Sequence, residues 1–172
     1  MTANVQRALV LSLLVLLMAG TRINHFAPIP DASWAVFFIG GFYLRSWTRW
    51  AFPALMALAV AVDWAVISSQ GMSFWQHYCV SAAYWMLIPA YFAMWAGGMW
   101  LRSRNADFNA RGAGLLVLAV PVSVVICHLL AQGSFYWMSN AVTNPSLAGW
   151  WKNYSDWLPP YMGTAALYVA LG

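Results

Sequence analysis

A carboxylate inside an apolar run, two cysteines and three histidines are the residues of this chain with chemistry to offer. Asp63 lies within the apolar run 51–68, about five residues from its far end. An ionised carboxylate in mid-bilayer costs at least ~2.5–3.5 kcal/mol. Asp63 is therefore expected to face the protein interior and to pair with Arg22 or Lys152, the basic residues on its side. Such a pair either holds two helices together or contacts a ligand. Cys79 stands near the start of another apolar run, 77–101, with Ala82 and Ala83 at i+3 and i+4. On a helix these three share a flat, small face, against which a bulky planar ligand can lie with the sulfur at its centre. A thiolate is a soft ligand for late or polarisable metals. A free cysteine is equally a small buried hydrophobe, and both readings stay open. His77 precedes Cys79 by two residues, a turn of about 200° on a helix, so the two cannot chelate one metal from the same helix. His25 lies in a polar stretch and can approach from elsewhere, while His128 adjoins Cys127. An ordinary hydrogen-bonded role is open to each histidine.

Composition sets the environment. The 172 residues are 63% hydrophobic and only 7% charged, against about 25% charged in a soluble domain. So little charge cannot cover a water-facing surface, and most of the surface is expected to face lipid. Twelve tryptophans agree, because Trp collects at membrane–water boundaries. The net charge of +4 does not signal nucleic-acid binding, since no basic cluster is dense enough to track phosphates. There is no GxxxxGK phosphate loop, and no CxxC or zinc spacing. No long polar stretch exists for a soluble domain, so residues 1–172 read as a single transmembrane domain.

Six apolar segments follow one another at 5–20, 33–44, 51–68, 77–101, 112–132 and 158–172. A spanning helix needs about 20 residues; the second and sixth are short. The first ends in a poor cleavage site, Leu17–Thr21, and is expected to stay as a helix. If all six span, Arg7, Arg45, Arg49, Arg102, Arg104 and Arg111 fall on one side, with Arg22 and Lys152 opposite. That split predicts an all-α polytopic protein with both termini inside.

The loops on the other side, 21–32, 69–76 and 133–157, are longer and richer, and long loops usually carry function. The third holds Trp151, Lys152 and Tyr154 within Trp150–Tyr154. These rings form an ordinary aromatic belt, or, with their amine and amide neighbours, a contact for a large amphipathic ligand.

Asn24-His25-Phe26-Ala27-Pro28-Ile29-Pro30 followed by Phe37-Phe38-Ile39-Gly40-Gly41 resembles the first loop and second helix of S-components, the substrate-binding membrane subunits of energy-coupling-factor vitamin transporters. Pro53 with Val62-Asp63-Trp64 is similar, as is the ending from Leu158-Pro159-Pro160-Tyr161 to Tyr168. Trp75-Gln76-His77-Tyr78-Cys79 and the chain's size look most like the BtuM group of solitary cobalamin (vitamin B12) transporters. The resemblance implies six helices, a substrate pocket on the outer side, residence in the bacterial inner membrane, and Cys79 near the cobalt with Asp63 and Tyr84 supporting the site. His25, His77, Trp151, Lys152 and Tyr154 are the further contacts expected to meet the corrinoid. The first helix departs from the S-component pattern: only Ala8 and Ser12 stand at the AxxxA spacing used for docking on a coupling subunit. This departure leaves open whether a coupling module is needed. The alternatives are an S-component for another vitamin, with Cys79 merely packed, and a membrane thiol enzyme acting on corrinoids without transport.

Overall fold

The computed structural model describes residues 2–23, 30–104 and 109–172. It is all-helical among these residues: α1 (Ala3–Arg22), α2 (Ser33–Tyr43), α3 (Thr48–Ser69), α4 (Leu87–Ser103), α5 (Ala110–Met138) and α6 (Leu147–Leu171), with 3₁₀ turns at Arg45–Trp47, Phe74–Gln76 and Ala82–Met86. Three helical stretches, Ala3–Arg22, Arg45–Ser69 and Ala110–Met138, are long and apolar enough to cross a bilayer. Their outer faces are apolar: Leu16 is 68% exposed and Val117 72%. Contiguous exposed aliphatic surface of this kind is foreign to a water-soluble fold and marks an integral membrane protein.

The core is built around α2. From Ser33 to Gly41 every residue of that helix is buried. At about 1.5 Å per residue, 11 residues reach only about 16 Å, well short of a bilayer, but a helix enclosed by protein need not match lipid thickness. It packs most closely on α4, and glycine makes the approach possible. A Cβ at Gly41 would overlap the Trp95 carbonyl, and one at Gly98 the Phe38 carbonyl. Phe37 stacks on Tyr91 with ring centroids 4.6 Å apart, and the fully buried Trp95 donates its indole N–H to Thr48 Oγ1 at 3.0 Å.

Two sequence expectations are corrected here. The run 77–101 does not begin as a helix. Residues 77–81 form turns, the 3₁₀ stretch Ala82–Met86 follows, and α4 starts only at Leu87. His77 Nδ1 accepts the Cys79 backbone N–H at 3.3 Å, and Ser81 Oγ accepts that of Ala83 at 3.3 Å. These local side-chain bonds compete with helical ones. Cys79, Ala82 and Ala83 therefore do not share an α-helical face. The expected loop 133–157 is also mostly helix. α5 runs on to Met138, and α6 begins at Leu147, capped by Ser146 Oγ accepting from Gly149 N at 3.1 Å. Trp151, Lys152 and Tyr154 thus sit on α6.

Candidate functional site

At the end of the bundle away from the six arginines, the helices part around a cavity of about 720 Å³, within the ~300–1,000 Å³ usual for small-molecule sites. Its wall takes Asp63 from α3, His77, Tyr78 and Cys79 from the turn segment, Tyr84 from the 3₁₀ stretch, and Gln132 and Asn153 from α5 and α6. Trp34, Phe135, Trp157 and Tyr161 supply aromatic surface.

A charged hub joins five elements at this cavity: α1, α2, α3, the Ala82–Met86 stretch and α4. Arg22, at the last turn of α1, grips Asp63 with two parallel bonds, Nε to Oδ1 and Nη2 to Oδ2, both 2.7 Å. Its Nη1 donates to Asp31 Oδ2 at 3.0 Å, Ser33 Oγ at 3.1 Å and the Tyr91 hydroxyl at 3.1 Å. Tyr84 donates its hydroxyl to Asp63 Oδ2 at 2.7 Å. Arg22 is 5% exposed and Asp63 15%. The planar guanidinium fork matches carboxylate geometry, and burial strengthens each bond. Of the two partners expected for Asp63, Arg22 is the one found. Lys152 instead pairs with exposed Asp156 one helical turn along α6, at 2.7 Å.

Cys79 is half-buried and free, as is buried Cys127. Burial pushes the Cys79 thiol above its ordinary range; the neighbouring Tyr78 hydroxyl opposes this, and the Asp63 carboxylate adds to it. Resting Cys79 is therefore a thiol, not a thiolate. Among the described residues no three of His, Cys, Asp and Glu gather to hold a bare metal ion. Cys79 can offer one sulfur to a metal that arrives already enclosed by its own ligands.

Asp63, His77, Cys79 and Tyr84 come together on the cavity wall. Trp151 points away, 61% exposed. Lys152 is exposed in its helix-surface ion pair. Tyr154 is buried between α6 and α5, its carbonyl accepting from His128 Nε2 at 3.0 Å. His128 makes this bond and also lines the cavity. His25 lies outside the described residues. Sequence reasoning passed over Tyr91, Gln132 and Tyr161, single residues within long apolar or proline-bearing runs, with no local signal to set them apart. Gln132 has one more distinction. Its Nε2 donates to Asn153 Oδ1, while its Oε1 is buried with no hydrogen-bond partner among the described residues.

No protein-family model matches the chain, and no curated protein matches it.

Proposed function

We propose that this chain takes up cobalamin across the bacterial inner membrane, as a solitary S-component-like protein whose chain crosses the membrane six times, with the short α2 enclosed by protein and both termini in the cytoplasm. The observation that carries the reading is Cys79. It is a half-buried, unpaired thiol on the wall of a large, mostly apolar cavity, beside Asp63 and Tyr84. The corrin macrocycle occupies the equatorial positions of cobalt and leaves an axial one for a single soft donor, which is what Cys79 supplies. The thiol loses its proton, sulfur donates an electron pair to Co(III), and the resident axial ligand departs with its own pair. With cyanocobalamin the leaving group is cyanide, which takes the proton as HCN; no oxidant or reductant is needed. The Arg22–Asp63–Tyr84 hub keeps the cavity end of α1, α3 and the Ala82–Met86 stretch together while this happens.

The charge distribution supports the orientation. Arg22 and Lys152, at the cavity end, are both paired with aspartates. The other six basic residues lie in or beside the opposite turns, as the positive-inside rule requires of a cytoplasmic face. The test is the absorption spectrum of the protein purified after growth with cobalamin. A corrinoid spectrum that co-purifies with the chain, shifted from that of free cobalamin, is the expected result. A colourless protein that also fails to bind added cobalamin refutes the reading.

A further inference from the structure

The opposite end of the bundle carries a second, independent feature. Four of its six arginines lie over aromatic rings. Arg7 covers Trp47 at 6.0 Å, Arg49 covers Trp50 at 5.2 Å, Arg102 covers Phe42 at 5.2 Å and Arg104 covers Trp100 at 5.3 Å. The first contact ties the start of α1 to the α2–α3 turn, and the third ties the end of α4 to the end of α2. The arginines therefore belong to one surface, not to separate loops.

No arginine of this surface makes an ion pair with a carboxylate among the described residues. The sequence offers only Asp107 nearby, which lies outside them. Trp50 is 67% exposed beside them, at the interfacial level where tryptophan settles among headgroups.

We propose that this arginine–aromatic surface binds the headgroups of anionic phospholipids. Orientation in the membrane is served by lysine as well as by arginine, yet every basic residue at this end is arginine, and the chain's one lysine is Lys152 at the other end. Arginine differs in its flat, bidentate fork for phosphate. A guanidinium laid on a ring is held in place by the cation–π contact while its N–H edge stays available to phosphate oxygens. Arginines with no carboxylate partner among the described residues, ring-held forks and an exposed tryptophan together describe a lipid phosphate site.

The test uses the purified chain in a neutral detergent, titrated with phosphatidylglycerol or phosphatidylcholine of identical acyl chains. Native mass spectrometry reads the bound lipid and thermal unfolding reads the stabilisation. Phosphatidylglycerol should bind more tightly and raise Tm saturably. The triple variant Arg49→Gln, Arg102→Gln, Arg104→Gln should lose about a hundredfold in phosphatidylglycerol affinity, since each surface arginine contributes about fivefold, with phosphatidylcholine unaffected. The corresponding lysine triple should fall between. Should the glutamine triple fail to fold, the unaltered chain still decides: added salt must weaken phosphatidylglycerol binding and spare phosphatidylcholine. Equal response to the two lipids overturns the proposal, as does a salt-insensitive preference. So does equal stabilisation by soluble glycerol phosphate, which indicates a free-anion site. A glutamine triple that keeps its lipid preference but loses uptake assigns these arginines to a protein partner and likewise overturns it.

Discussion

Tyr84 and Arg22 share one oxygen: Asp63 Oδ2 accepts from the Tyr84 hydroxyl and from Arg22 Nη2, each at 2.7 Å. The carboxylate therefore has a bond to α1 and another to the 3₁₀ stretch that leads into α4. Asp63→Asn keeps the shape, but an amide cannot accept both N–H bonds of the fork. Breaking one partner of a buried pair typically costs ~3–5 kcal/mol. Tyr84→Phe removes one bond to a charged group and should cost only ~1.5–3 kcal/mol. Thermal or denaturant unfolding in detergent should rank Asp63→Asn well below Tyr84→Phe. Equal stability of Asp63→Asn and the parent would remove the hub from any account of how the helices are held.

Cys79 has a distinctive pH response. Burial and the Asp63 carboxylate both disfavour its thiolate, and only the thiolate is alkylated. Maleimide or iodoacetamide labelling should be slow at neutral pH, with its midpoint above that of an ordinary thiol. In Asp63→Asn the loss of the negative charge stabilises the thiolate, so the midpoint moves down and labelling at neutral pH accelerates. Cys127, buried within α5, should stay unlabelled in the folded protein at the same pH. A parent midpoint in the ordinary thiol range would place Cys79 in a more solvated setting than the cavity wall.

What the sequence revealed followed the rarity of the residue. A single aspartate in an apolar run forces a partner, and with only Arg22 and Lys152 available the pairing was legible before any geometry. The turn that carries Cys79 was not. Residues 77–86 are apolar enough to pass for helix, and hydropathy is blind to His77 and Ser81 capturing backbone N–H groups locally. The polar tract 146–157 misled in the opposite direction. It reads as a loop, yet Ser146 caps a helix that continues through Pro159 and Pro160. Gln132 was invisible for a third reason: its meaning lies in a contact with Asn153 across two helices, which no spacing along the chain encodes.

Gln132 should separate stability from recognition. Its Oε1 has no partner among the described residues, so Gln132→Leu forfeits the bond to Asn153 and should cost about 1 kcal/mol in stability. The same change removes an amide from the cavity wall. Under the proposed function cobalamin affinity should fall about tenfold, the effect of ~1.4 kcal/mol. Titration followed by absorbance or tryptophan quenching measures it. Unchanged affinity would confine the Gln132–Asn153 pair to helix packing.

Topology is tested at two positions, one at each end of the bundle. Ser103 closes α4 among the arginines, and Asn144 lies between α5 and α6 near the cavity. Single cysteines placed there, in a Cys79→Ser, Cys127→Ser background, should react with a membrane-impermeant reagent from opposite sides of the membrane: Asn144→Cys from outside intact cells and Ser103→Cys only after lysis. Both reacting from one side would exclude the six-span arrangement.

The sharpest expectation concerns the sulfur itself. Cys79→Ser hardly alters size but exchanges a soft donor for a hard one with poor affinity for a late, polarisable metal centre. The cavity and the hub around Asp63 should persist, because neither depends on the thiol. Folding and Tm should therefore change by no more than about 1 kcal/mol equivalent. The spectroscopic consequence should be large: the variant should lose the shifted corrinoid spectrum, and cyanocobalamin should retain its cyanide. Cys127→Ser serves as the control, since that thiol is fully buried within α5 and should affect packing without touching the spectrum. Uptake in a strain that lacks its own cobalamin importer should follow the spectrum, falling for Cys79→Ser and not for a folded Cys127→Ser. If Cys79→Ser binds, shifts the spectrum and transports like the parent, the sulfur is only filling space on the cavity wall, and the chemical case for cobalamin goes with it.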